Sequence, residues 1–170
     1  MAVQVRAELL AAADLSAGGE SDLGPDLRFA WGGRFAVGAR AGFRASRNVD
    51  RANGVVHGQE LLAGAAVSYA FVPRTAAWGG DVSLRADVVD VRFSGVPAPG
   101  ASGASGSALG AIVSAGLEGW VKLAGPVRVV GEAAAGAPLR PIAATDTGET
   151  ATAVSGITLA VALGLGITVE

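Results

Sequence analysis

The chain has 170 residues, 51% of them apolar and 16% charged, with a net charge of -2, against roughly 25% charged in an average soluble domain. All but one of the thirteen basic residues are Arg, and the near balance of charge leaves no footprint for nucleic acid and no polybasic membrane patch. The lack of Cys excludes disulfides and thiolate ligation, and a single His, His57, excludes a multi-histidine metal site.

Large apolar residues alternate with small or polar ones along the whole chain, which predicts an all-β fold of eight strands. The first, 2–13, sets Val3, Val5, Ala7 and Leu9 against Gln4, Arg6 and Glu8. A connection at 16–24 leads to the second, 25–32, and Gly32-Gly33 turns it into the third, 34–46. There Phe35, Val37, Ala39, Ala41 and Phe43 oppose Ala36, Gly38, Arg40, Gly42 and Arg44. Residues 47–54 lead to the fourth strand, 55–71, with Leu61, Ala63, Ala65, Val67, Tyr69 and Phe71 on one face. The turn at 73–78 opens the fifth, 79–94. In it the pattern changes after Val88, where Val89, Val91 and Phe93 take over the face of Asp81, Arg85 and Asp87. Either a bulge or a strand end projecting above a membrane accounts for that change. Connection 94–106 precedes the sixth strand, 107–123, and Ala124-Gly125 joins it to the seventh, 126–138. After 141–155 the eighth, 154–169, places Ile157, Leu159, Val161, Leu163, Leu165, Ile167 and Val169 on one face.

The connections alternate in length, with Gly-, Ser-, Pro- and Asp-rich stretches at 16–24, 47–54, 94–106 and 141–155 and short turns between them. In an up-and-down antiparallel sheet all the long loops share one end. Mean hydropathy is +0.45, yet no stretch has the roughly 18 large apolar residues that a spanning helix needs. Near the start, Arg6, Glu8 and Asp14 interrupt any apolar run of a secretory signal, so an exported chain of this kind would have lost its signal. An even number of strands, with short turns at one end and long loops at the other, is the layout of an outer-membrane β-barrel with both termini on the periplasmic side. One barrel domain over 1–170 is expected, either alone or as part of a longer protein. Of the nine aromatics, Phe29, Trp31, Phe35, Tyr69, Phe71, Trp78 and Trp120 fall near the short turns. Phe43 and Phe93 are left for the opposite girdle.

The second face decides which side is inside. It carries Arg6, Arg28, Arg40, Arg44, Arg85, Lys122 and Arg128 together with Glu8, Glu60, Asp81, Asp87, Glu118 and Glu132, separated by Ala and Gly. A water-facing surface would hold abundant Lys, Glu and Thr, so this face is the expected interior. An eight-stranded barrel is just wide enough to be filled by side chains. A balanced set of Arg and carboxylates fills it with paired charges, giving a plug in place of a pore.

With these features the chain resembles the small eight-stranded outer-membrane barrels of the OmpA/OmpX type, in the Ala-, Gly- and Arg-rich form of high-GC Gram-negative envelopes. The end, Leu163-Gly164-Leu165-Gly166-Ile167-Thr168-Val169, looks like the terminal strand signal read by barrel-insertion machinery. That signal usually ends in an aromatic, where this chain ends in Val169-Glu170. The resemblance implies outer-membrane lipid and the insertion machinery as partners. It also implies a role in anchoring, envelope integrity, adhesion through the loops or narrow transport.

No cofactor, metal or catalytic residue is expected. His57 stands in His57-Gly58-Gln59-Glu60, without the Ser two residues on of a His-x-Ser deacylase. Asp81 and Asp87 flank Arg85 on one face and Asp90 falls on the other, so ion pairing is expected before a two-carboxylate or cation site. The run Gly100 to Gly106 lacks a phosphate-loop pattern and reads as a flexible loop. Two alternatives remain at this stage. One is a soluble lipocalin-like barrel with Val161, Leu163 and Leu165 lining an apolar ligand cavity, and the other is a narrow channel for small solutes.

Overall fold

The computed structural model describes residues 3–17, 21–46, 49–51, 54–97, 99, 105–146 and 149–169. Its strands are β1 (Gln4–Ser16), β2 (Ser21–Gly32), β3 (Phe35–Ser46), β4 (Val49–Arg51), β5 (Gly54–Ala70), β6 (Trp78–Pro97), β7 (Ser105–Ala124), β8 (Val127–Pro138), β9 (Ile142–Asp146), β10 (Glu149–Val154) and β11 (Thr158–Val169). Successive strands pair antiparallel, β3 pairs directly with β5, and β11 bridges β8 to β1. The sheet therefore closes into an eight-stranded barrel with no free edge along its wall. Strand β4 extends the wall beside β5, and β9 and β10 form a separate hairpin.

Much of the 16–24 connection is strand, because Leu15 and Leu23 continue the outward alternation on β1 and β2. Gly24, read as the end of that connection, and Pro25, read as the start of the second strand, sit at a gap in the β2–β3 ladder, which passes from Leu23–Ala45 to Asp26–Gly42. Proline has no N–H to give to a ladder, and the Pro25 carbonyl accepts a hydrogen bond from Arg44 Nη1 at 3.3 Å. The 141–155 connection holds the β9–β10 hairpin, so the last barrel strand begins at Thr158, and Val154 belongs to β10. In the 100–106 run, only Ser105 and Gly106 fall within the described residues, as the first residues of β7.

The apolar face points outward. Ile157, Leu159, Val161, Leu163, Leu165, Ile167 and Val169 are all exposed, from 47% to 65%, so none of them lines a cavity in the manner of a lipocalin. On β6 the outward series Trp78, Val82, Leu84 and Val88 ends where Asp90 and Arg92 begin. The span from Trp78 to Val88 is eleven residues, matching the 9–11 of a tilted transmembrane strand. Pairing of β6 with both neighbours runs without a register shift from Asp81 to Ser94. The change of pattern after Val88 is thus no bulge. The strand continues beyond the apolar band, where Arg92 is 63% exposed and pairs with Asp90 at 2.9 Å.

Phe29, Trp31, Phe35, Phe71 and Trp78 face outward near the short-turn end. Tyr69 joins them with its ring 4.9 Å from that of Phe35. Phe93, expected in the opposite girdle, is instead inside the barrel and 8% exposed, since it shares the inward phase of Asp81 to Asp87.

Candidate functional site: the barrel interior

The inward positions of β1, β2, β3, β6, β7 and β8 place Arg6, Glu8, Asp26, Arg28, Arg40, Arg44, Asp81, Arg85, Asp87, Glu118 and Glu132 in one lumen. Their partners lie mostly across it. Arg28 on β2 reaches Glu132 on β8 and lies 3.7 Å from Glu118 on β7. Arg40 on β3 meets Asp87 on β6 at 3.1 Å, and Arg6 on β1 meets Glu118 at 3.0 Å and Asp81 at 3.6 Å. Arg85 pairs with Glu132 on β8. The β2–β3 wall supplies arginines that stand side by side, Arg28 opposite Arg40 in the ladder, while β6, β7 and β8 supply adjacent carboxylates, with Glu118 opposite both Asp81 and Glu132. Neighbouring like charges repel within each wall, and the opposite wall compensates both.

Small inward residues make this possible. A Cβ at Gly42 would lie 2.2 Å from Asp26 Oδ1, and one at Gly64 would lie 2.1 Å from Asp87 Oδ1. Among the described residues, two cavities of about 50 Å³ each have both Arg40 and Arg85 in their walls. Such volumes are enough to hold water.

Three members of the network were not among the candidates. Asp26, fully buried, joins Arg44 at 2.8 Å, Arg28 at 3.2 Å and Arg40 at 3.8 Å. It was legible in principle, for it shares the inward phase of Arg28. Asp14 pairs with Arg44 near the loop end of β1. Arg74 comes from the β5–β6 turn, where no alternation gives it a direction. It folds into the lumen to pair with Asp81 at 2.7 Å and donates to the Gly33 carbonyl and Ser68 Oγ, each at 2.9 Å.

Three candidates stand apart. Lys122 is exposed, because the β7–β8 register shifts between Lys122 and Ala124 and carries it to the rim. Arg128 is buried, but among the described residues it has no carboxylate partner. It donates to the Arg74 carbonyl at 3.3 Å, and its guanidinium lies 5.7 Å from the centre of the Trp120 ring, with that of Arg74 at 5.8 Å. Glu60 is buried beside Leu62 at the wall of one cavity, with no ion pair among the described residues. His57 lies on the part of β5 beyond the apolar band, opposite Ser94.

Above the charges the inner surface becomes apolar. Leu62, Val89, Val91 and Phe93 form a buried cluster with Ile142 and Val154 from the β9–β10 hairpin. A smaller cluster of Leu10, Ala70, Trp120 and Val130 lies toward the short-turn end.

No family model matches the chain, and no curated protein matches its sequence. Solved structures do match in fold. A major outer membrane protein from Thermus thermophilus aligns with a TM-score of 0.72 at 13% identity, over 99% of this chain and 100% of that one. The N-terminal β-barrel domain of Pseudomonas aeruginosa OprF aligns at 0.51 and 13% identity, over 98% and 97%. Ail, the attachment invasion locus protein of Yersinia pestis, aligns at 0.53 and 11% identity, over 98% and 97%. The class is thereby defined as the small, closed, eight-stranded antiparallel barrel of the outer-membrane type.

Proposed function

We propose that this chain is an integral outer-membrane protein of a Gram-negative envelope, with a structural or anchoring role and a lumen sealed by paired charges. The observation that supports this best is the sorting of the two faces, with exposed large apolar residues outside on β1, β2, β3, β5, β6, β7 and β11 and Arg–carboxylate pairs inside. Burying charges costs several kcal/mol each unless they are paired and hydrogen-bonded, and the pairing across the lumen offsets that cost while filling the space a solute would need. Both termini would then lie on the periplasmic side, level with the girdle of Trp31, Phe35 and Trp78. Outer-membrane lipid would cover the apolar band, and insertion machinery would engage β11 during assembly. The barrel is non-catalytic in this reading, and adhesive contacts, if the protein makes them, belong to the loops.

Folding into detergent and into planar bilayers tests the proposal. The unboiled protein should migrate differently from the boiled one on a gel, precipitate when detergent is removed, and give no conductance steps. A folded monomer in plain buffer would overturn the membrane reading. Stable conductance would replace the plug with the narrow-channel alternative.

A further inference from the structure

We propose that Arg74 is a tethered ligand: its guanidinium fills a cation pocket at the short-turn end of the lumen and shuts the lower of the two small cavities against that side. The inference rests on the reading of the lumen as closed, and it names the group that closes one end. Four elements build the pocket. Arg74 Nε donates to the Gly33 carbonyl in the β2–β3 turn and Nη2 to Ser68 Oγ on β5, each at 2.9 Å, while Nη1 lies 2.7 Å from Asp81 Oδ2 on β6. On β7 the centre of the Trp120 ring lies 5.8 Å from the guanidinium carbon, within cation–π range. Gly79 makes room for that ring, since a Cβ there would lie 2.4 Å from Trp120 Cζ2. A planar fork with three donor nitrogens fits this arrangement, and an ammonium, as a point charge, does not reproduce it.

Arg74 differs from other lumen arginines in how it reaches its place. Arg6, Arg28, Arg40 and Arg85 stand on strands with a ladder on each side. Arg74 sits in the β5–β6 turn and is nonetheless buried. That turn is pinned at its base, where the Phe71 N–H donates to the Gly80 carbonyl at 3.0 Å and the Lys122 N–H to the Ala77 carbonyl at 2.7 Å. Its tip can therefore swing out without breaking the wall. Two partners of Arg74, Ser68 and Asp81, line the lower cavity beside Ser83 and Glu118. Withdrawal of Arg74 leaves Asp81 with Arg6 at 3.6 Å. It also uncovers Asp81 and Glu118, opposite one another in the β6–β7 ladder, as a mouth that attracts cations. Arg40 and Arg85 line both cavities and keep the upper one, toward the loop end, shut.

The chain has no Cys, so single introduced thiols report access. Ser83→Cys probes the lower cavity and Ser114→Cys the upper one. Full-length protein in vesicles, confirmed folded by its gel mobility, is treated with silver nitrate, whose thiol-reactive cation is small enough for a water-sized space. Parallel reaction of Lys122→Cys, on the exposed rim, establishes that the short turns face outward. Thiols still free are counted with a maleimide after unfolding. Ser83→Cys should react slowly in the native background and at least about tenfold faster with Arg74→Ala, since a hydrogen bond to a charged group is worth about that factor or more. Arg74→Gln, which keeps most of the stem, should act in the same direction. Millimolar guanidinium nitrate should slow the Arg74→Ala protein back toward the native rate, and equal potassium nitrate should not. Ser114→Cys should respond to none of these changes. Equal rates at Ser83→Cys with and without Arg74 would overturn the proposal, and so would a parallel rise at Ser114→Cys, which would mean a loosened barrel. Failure of guanidinium to slow the reaction, or equal slowing by potassium, would also overturn it, because the pocket would then have no preference for the fork. Conductance by the unsubstituted protein would instead overturn the sealed-lumen reading on which the tethered ligand rests.

Discussion

Two stretches of one strand, facing one lumen, do opposite jobs. From Asp81 to Asp87 the inward side chains of β6 are charged and reach across the barrel, while from Val89 to Phe93 they are apolar and pack against a hairpin from another connection. The outward side chains change in the reverse sense at the same height, from Leu84 and Val88 to Asp90 and Arg92. What surrounds the wall explains the inversion. In the proposed membrane setting, lipid around the lower section requires an apolar outside and leaves the charge to the interior, whereas above it the outside would meet water and an ordinary apolar core forms inside. The strand passes from one sorting to the other without breaking its ladder.

The difference makes the charged section brittle and the apolar section forgiving. Asp26→Ala should have the largest effect, since it removes from a fully buried site the one carboxylate that Arg28, Arg40 and Arg44 share, leaving each of them a single wall to pair with, at Glu132, Asp87 and Asp14. Loss of one partner from such a group costs about 3–5 kcal/mol, measurable as a shift in urea unfolding of the vesicle-inserted protein. Leu62→Ala in the apolar cluster should cost about 2–3 kcal/mol, at the low end for a buried leucine because the mouth can relax. A larger loss there than at Asp26 would reverse the comparison. Arg74→Ala should cost about 1–3 kcal/mol in charge-assisted hydrogen bonds, moderated because Asp81 keeps Arg6 at 3.6 Å. Arg92→Gln, on the exposed outer face of β6, should change stability by less than about 1 kcal/mol. An effect of Arg92→Gln comparable with that of Arg74→Ala would place Arg92 in a buried contact that the fold does not give it.

The barrel was legible in the sequence because a two-residue period says which residues share a face, and an apolar series such as Ile157 to Val169 extends over a whole strand. The same period put Arg6, Arg28, Arg40, Asp87 and Glu118 on one face. It could not say who pairs with whom, since Arg40 and Asp87 are brought together by curvature of the closed sheet and not by spacing along the chain. Arg74 was hidden because a turn residue has no phase, and Asp14 because it sits where strand was read as passing into loop. The β9–β10 hairpin escaped for a related reason. In 141–155 the Thr, Gly and Asp residues suggested a loop, and only the contacts of Ile142 and Val154 with the far wall give that segment a place.

The sorting of the two faces is the central claim, and the three tryptophans test it directly. Trp31 and Trp78 lie on the outward girdle at 59% and 71% exposure, and Trp120 lies inside at 2%. Three proteins, each keeping one of these and carrying Phe at the other two positions, would be folded into bilayers containing lipids brominated along their acyl chains. Strong quenching at Trp31 and Trp78 with little at Trp120 is the predicted result. Quenching of Trp120 with protection of the other two would mean that the barrel is inside out, and the sealed charged lumen would fall with it.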